Sequence, residues 1–240
     1  MFDLFSAKLP CKLIVFEGIN GCGKTTQLQL ARKYFEDKGL RVGCFYDPGI
    51  CDSCDKSVKD LRQLACRREW SSIYTRFLMF IAAREELNCY LDEVADDYDI
   101  ILLDRYVPST LAYQTLDFFD NPGNALLTDN SELFKFLISS TGNFQPDLFL
   151  FFDAAPDVAY SRTGKSTRSI EEGIDIFEQK AIKFLADLRE VYSLVMGRLL
   201  KITPDSDVVL VPASTSIETT FSHYKEDLDK LINGLSTTKN

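Results

Sequence analysis

The chain has 240 residues, 27 basic and 36 acidic, for a formal charge of −9 at neutral pH. At about 150 residues per domain this length predicts a single domain spanning 1–240. Hydrophobic residues at 45% and charged residues at 26% exclude collagen-like, coiled-coil and disordered classes. The acidic balance argues against duplex nucleic acid and anionic membranes as partners; a small anion held in a local basic pocket stays open.

Residues 1–11 read as a short N-terminal tail. They lack a basic start followed by an apolar stretch, and no apolar run in the chain reaches the ~18 residues needed to span a bilayer. Seven cysteines without an export signal predict thiols in a reducing compartment, hence a soluble cytoplasmic protein.

In chain order, short apolar runs alternate with helical patterns, the arrangement of a parallel sheet flanked by helices. The strands are expected at 12–17, 41–46, 100–103, 148–152 and 208–211. Helices are expected at 25–38, with Gly39 as its cap, at 58–66, at 69–94 and from about 109. Further helices are expected near 131–140, opening at Pro156, at 174–200 and at 217–231. Residues 163–170 are small, polar and basic, the composition of a short mobile lid.

Gly18-Ile19-Asn20-Gly21-Cys22-Gly23-Lys24-Thr25 fits G-x-x-x-x-G-K-[ST], entered by an apolar strand and left by an amphipathic helix. Glycines let the backbone wrap inward, so N–H groups converge on phosphate oxygens at a positive helix N-terminus. Lys24 supplies charge to the β- and γ-phosphates of a nucleoside triphosphate, and Thr26 follows in the same turn. Thr25 and Asp104 are the candidate oxygen ligands for Mg²⁺. Cys22 sits at a helix N-terminus, which favours a reactive thiol whose oxidation would block the loop. Cys51-x-x-Cys54 is one thiol pair only, too little for a four-thiolate zinc site.

Further segments follow in order: Phe16-Glu17-Gly18, Asp47-Pro48-Gly49, Leu61-Arg62, Phe80-Ile81-Ala82-Ala83-Arg84, Asp104-Arg105-Tyr106, Ala112-Tyr113-Gln114 and Thr141-Gly142. Phe80 and Arg84 are four apart, so they share one helix face, where a ring can stack on a base and an arginine can donate to a carbonyl. Each residue alone also fits a structural role: Phe80 in the core, Arg84 paired with Glu85 or Asn88, Asp104 capping the next helix.

The joint pattern resembles thymidylate kinases over nearly the whole chain. The resemblance implies a P-loop NTPase fold, with transfer of the γ-phosphoryl group of ATP to dTMP, Mg²⁺ accompanying ATP, and a homodimer. It assigns thymine stacking to Phe80 and its O4 to Arg84, the acceptor phosphate to Arg62 and Arg105, and the base edge to Thr110 and Gln114. Tyr113 is implied beside the sugar C2′, Asn20 at the 3′-hydroxyl, and Arg162 near adenine. With no arginine in the loop, the lid residues Lys165 and Arg168 are left to meet the transferring phosphoryl group. The pattern departs at Asn20, where relatives carry an acid, in the loss of one basic residue at Tyr46-Asp47, and in the short lid. Other acceptors remain in view: another pyrimidine deoxynucleotide, a deoxynucleoside, or no turnover at all in a binding module.

Overall fold

The computed structural model describes residues 5, 7–47, 56–67, 70–118, 144–163, 182–203 and 205–235. Five strands form one parallel sheet: β1 (Lys12–Glu17), β2 (Val42–Tyr46), β3 (Ile100–Asp104), β4 (Leu148–Asp153) and β5 (Asp207–Pro212). Their order is β2-β3-β1-β4-β5. The apolar runs of β1, β3 and β4 are buried almost throughout, as strands covered on both faces must be. β5 lies at the edge, and of its residues only Val211 is buried.

Between the strands run α1 (Lys24–Glu36), α2 (Lys56–Arg67), α3 (Ile73–Val94), α4 (Val107–Phe118), α5 (Pro156–Thr163) and α6 (Ile182–Ile202). Two short helices close the described chain, α7 (Ile217–Ser222) and α8 (Lys225–Leu235). The expected strands and the P-loop order of elements are therefore present. α3 starts at Ile73, four residues later than the periodicity implies. The single closing helix is instead broken at His223–Tyr224. The break turns the Tyr224 ring into the core against Phe16, Phe152 and Phe221, where its hydroxyl donates to Gln27 Oε1 at 2.9 Å. Nor is the N-terminal segment a bare tail, since Phe5 stacks on Tyr106. The expected 131–140 helix, most of the lid, and Cys51 and Cys54 lie outside the described residues.

Register positions the site. Phe16 of β1 and Tyr46 of β2 both lie opposite Asp104 of β3, so three strand tips end level at the carboxyl edge of the sheet. The chain leaves β1 toward β2 and leaves β3 toward β4, on the other side of β1. That reversal opens the crevice in which open α/β sheets bind ligands. α4 follows directly and is buried from Val107 to Thr115, polar residues included.

Candidate active site

The loop from Gly18 to Lys24 fills the crevice. Gly18, Gly21 and Gly23 all have positive φ. Gly21 is also pressed from outside: a Cβ there would lie 2.1 Å from the carbonyl oxygen of Ala159 in α5. No side chain fits after Asn20, which gives a steric reason why this loop carries no arginine at that point.

Lys24 is buried, and its Nζ donates to the carbonyls of Gly18 and Ile19, both at 2.9 Å. The Cys22 sulfur lies 3.5 Å from the same ammonium and is 1% exposed, so the thiol faces inward rather than toward oxidants. Thr25 Oγ1 donates to Asp104 Oδ2 at 2.8 Å. Asp104 Oδ1 is buried without a hydrogen-bond partner. A hydroxyl beside an orphaned carboxylate oxygen suits Mg²⁺, which takes only one or two protein ligands when triphosphate oxygens supply others. Among the described residues no cluster of three or more His, Cys, Asp or Glu offers an all-protein metal cage.

These groups, with Asn20, Gly23 and Thr26, line a cleft of about 880 Å³. Arg162 closes one wall. Its guanidinium donates to the carbonyls of Ala213 (2.8 Å) and Thr215 (3.3 Å), and it approaches Cys22 O at 3.5 Å. It thus straps the phosphate loop to the segment between β5 and α7. Lys165 and Arg168 lie outside the described residues.

Arg105 joins this cleft to a second, smaller cavity of about 50 Å³. It stands just beyond the tip of β3 with φ 73°. Nη1 donates to Ser109 Oγ and Tyr192 Oη at 3.0 Å and to Gly18 O at 3.3 Å. Nη2 reaches Tyr113 Oη at 3.4 Å and bonds Asn20 Oδ1. Because arginine only donates, the Asn20 oxygen must face it. The guanidinium also lies over the Tyr113 ring, 5.2 Å from its centroid.

The smaller cavity brings together Arg62, Phe80, Arg84, Arg105, Thr110, Tyr113 and Gln114, from three helices and a strand tip. Phe80 is half-buried with the Arg76 guanidinium over its ring, so it is a wall rather than core. Arg62 rests over the Tyr46 ring, 4.8 Å from its centroid. Arg84 is buried, and its partner is neither Glu85 nor Asn88 but Asp47. Nε donates to Asp47 Oδ2 at 2.9 Å, and Nη2 bonds the same carboxylate and Thr110 Oγ1. Burial raises the Asp47 pKa, and Arg84 pulls it back. Two buried polar atoms of this lining have no partner: the donor Arg84 Nη1 and the acceptor Gln114 Oε1.

Sequence reasoning overlooked Asp47 as the buried partner of Arg84, and it overlooked Glu17, Ser109 and Tyr192 around Arg105. Glu17 left a trace, an acid closing a strand that is apolar from Leu13 to Phe16. Tyr192 left none, being one apolar position among many on α6.

Comparison with known proteins follows the same lines. A family model described as thymidylate kinase matches residues 16–222. Over 185 residues the chain is 32% identical to the thymidylate kinase of Burkholderia lata, covering 75% of this chain and 82% of the relative. Identity to that of Paraburkholderia phytofirmans is 31% over the same shares. For Prosthecochloris aestuarii it is 29% over 205 residues, 83% and 86% of the two chains. With strand order, phosphate loop and family match in agreement, this chain belongs to the thymidylate kinase family.

Proposed function

We propose that the protein transfers the γ-phosphoryl group of ATP to dTMP, giving dTDP, as one domain acting on two nucleotides. Family membership supports the reaction. The observation that carries the acceptor's identity is the orphan pair in the smaller cavity, Arg84 Nη1 and Gln114 Oε1. Thymine offers a carbonyl acceptor at O4 and a donor at N3–H, which match that donor and acceptor. Cytosine offers the reverse and would leave both groups unmet. At roughly 1–3 kcal/mol for each of two unmet buried groups, discrimination of about 30-fold or more follows. Uracil lacks only a methyl group, worth about 1 kcal/mol.

The acceptor's attacking atom is a phosphate oxygen already ionised at neutral pH, so no general base is required. What this chain supplies is positioning and charge. Phe80 stacks on the base, Tyr113 lies beside the sugar, and Asn20 faces the 3′-hydroxyl. Arg62 and Arg105 hold the acceptor phosphate. Gly18, Gly21, Cys22, Gly23 and Thr26 cradle the donor phosphates, with Lys24 crossing from its two carbonyls to the β- and γ-oxygens. Thr25 and Asp104 would hold Mg²⁺, which neutralises charge on the triphosphate when bound. Arg162 bounds the adenine side, and Lys165 and Arg168 meet the transferring group from the lid.

The assembly is read as a homodimer in the cytoplasm. No helix among the described residues is long and apolar enough to cross a membrane. Phe77 is core at 1% exposure, but Tyr74 (59%) and Leu78 (55%) present an apolar strip on α3 that a second copy would cover. Light scattering reads this directly.

A coupled assay of ADP release with dTMP, dUMP, dCMP and thymidine tests the function. The expected order of kcat/KM is dTMP, then dUMP within about tenfold, then dCMP and thymidine far below. No turnover with any acceptor, despite tight ATP binding, would favour a binding module.

A further inference from the structure

Glu17 is the last residue of β1 and is 0% exposed. Its Oε1 accepts from the backbone N–H groups of Tyr106 (2.7 Å) and Ser109 (3.3 Å), donors at the entry to α4. Its Oε2 accepts from the Ser109 hydroxyl at 2.7 Å. Ser109 Oγ in turn accepts from Arg105 Nη1 at 3.0 Å and lies 2.6 Å from Tyr192 Oη. Tyr192 Oη accepts from that same Nη1. A buried chain therefore runs from Glu17 through Ser109 to Arg105, braced by Tyr192.

We propose that Glu17 is a positioning residue for phosphoryl transfer, holding Arg105 in place through Ser109 and Tyr192 while its charge compensates that buried cation from one hydroxyl away. The inference rests on the assignment of Arg105 to the acceptor phosphate. The indirect contact is what makes the arrangement useful. Among the described residues, the hydrogen-bond partners of the Arg105 guanidinium are neutral: Gly18, Asn20, Ser109, Tyr113 and Tyr192. A carboxylate bonded directly to the guanidinium would occupy the fork that a phosphate needs. Held behind Ser109, the carboxylate lowers the cost of a buried arginine and leaves its charge for a ligand.

Capping alone does not explain an acid here, since a glutamine oxygen would accept the same backbone bonds. Burial pushes the Glu17 carboxyl up to about 7, against the opposing influence of Arg105, the Ser109 and Tyr106 bonds and Lys24. An ionisable group kept at such a cost beside two phosphate-binding cations fits a role in the reaction.

The test is steady-state kinetics on Glu17→Gln, Ser109→Ala and the double variant, with melting temperatures at pH 8. Glu17→Gln should fold with a Tm no lower than wild type, because the charge is lost and the backbone bonds to Oε1 are kept. An amide nitrogen at the Oε2 position cannot accept from the Ser109 hydroxyl and so cuts the relay. Its KM for dTMP should rise about tenfold or more, while KM for ATP stays within about twofold. Ser109→Ala, which leaves the backbone bonds of Glu17 in place, should shift KM for dTMP the same way. The double variant should be no worse than the stronger single one, since both cut one chain. Unchanged dTMP kinetics in Glu17→Gln and Ser109→Ala, equal loss for both substrates, or additive effects would overturn the inference. Wild-type protein that makes no dTDP would overturn the function and the inference together; normal wild-type turnover with unchanged variants would overturn the inference alone.

Discussion

Arg84 and Asp47, 37 residues apart in sequence, form a buried ion pair in the wall of the smaller cavity, with side-chain exposures of 2% and 1%. One side of the guanidinium is spent on Asp47, Thr110 and the Tyr106 carbonyl, and the remaining nitrogen, Nη1, is left buried without a hydrogen-bond partner. On the proposed function, the carboxylate takes part in base reading without needing to touch a base.

Asp47→Ala should therefore do two things at once. It leaves a buried guanidinium without its counter-charge, which costs about 3–5 kcal/mol. It also lets Arg84 swing, so discrimination between dTMP and dCMP should shrink. Denaturant unfolding and the kcat/KM ratio for the two acceptors measure both effects. A stable variant with unchanged discrimination would show that Asp47 neither neutralises nor aims Arg84.

Gly21 is the tightest point of contact between the phosphate loop and α5. A Cβ would meet Ala159 O at 2.1 Å and Thr163 Cγ2 at 3.0 Å, on a backbone with φ 80°. Gly21→Ala is expected to lose about 1–3 kcal/mol of stability. KM for ATP should rise more than KM for dTMP, because the loop must move off α5. Calorimetry and two-substrate kinetics check this; an ATP KM equal to wild type would show that the loop tolerates the side chain.

Much of this was legible beforehand, for identifiable reasons. β1, β3 and β4 are uninterrupted apolar runs because both faces of a central parallel strand are covered. The phosphate loop is legible because its chemistry demands glycines and a lysine at fixed spacing. Phe80 and Arg84 shared a face by helical geometry alone, and the structure brings both to one cavity. Pairings across long sequence distance were not legible. Nothing in the residue pattern says that Arg84 faces Asp47 rather than Glu85, its neighbour in the chain. The closing helix failed for a related reason: its period runs on through His223, but packing of Tyr224 against Phe16 and Phe152 breaks it. Asp153, strand-tip counterpart of Asp104, is instead taken up by Arg189 at 2.7 Å.

Glu17 makes a prediction about stability against pH. Folding raises its pKa from 4.5 to about 7, so the fold favours the protonated form. That contribution is fully present below about 4.5 and is lost as pH rises through about 7. Between pH 5 and pH 8 wild type should lose stability relative to Glu17→Gln, by about 3 kcal/mol at most. Parallel unfolding curves for the two proteins across that range would contradict the burial of an ionisable carboxyl at this point.

The most direct measurement is a crystal structure of the protein with dTMP and a non-hydrolysable ATP analogue. The expected result places the thymine against Phe80, with O4 within hydrogen-bond distance of Arg84 Nη1, N3 facing Gln114 Oε1, and the 5′-phosphate on Arg105. The analogue's terminal phosphate should lie on Lys24, across Arg105 from the acceptor. A pyrimidine bound anywhere other than the cavity between Phe80, Gln114 and Arg105 would contradict the account.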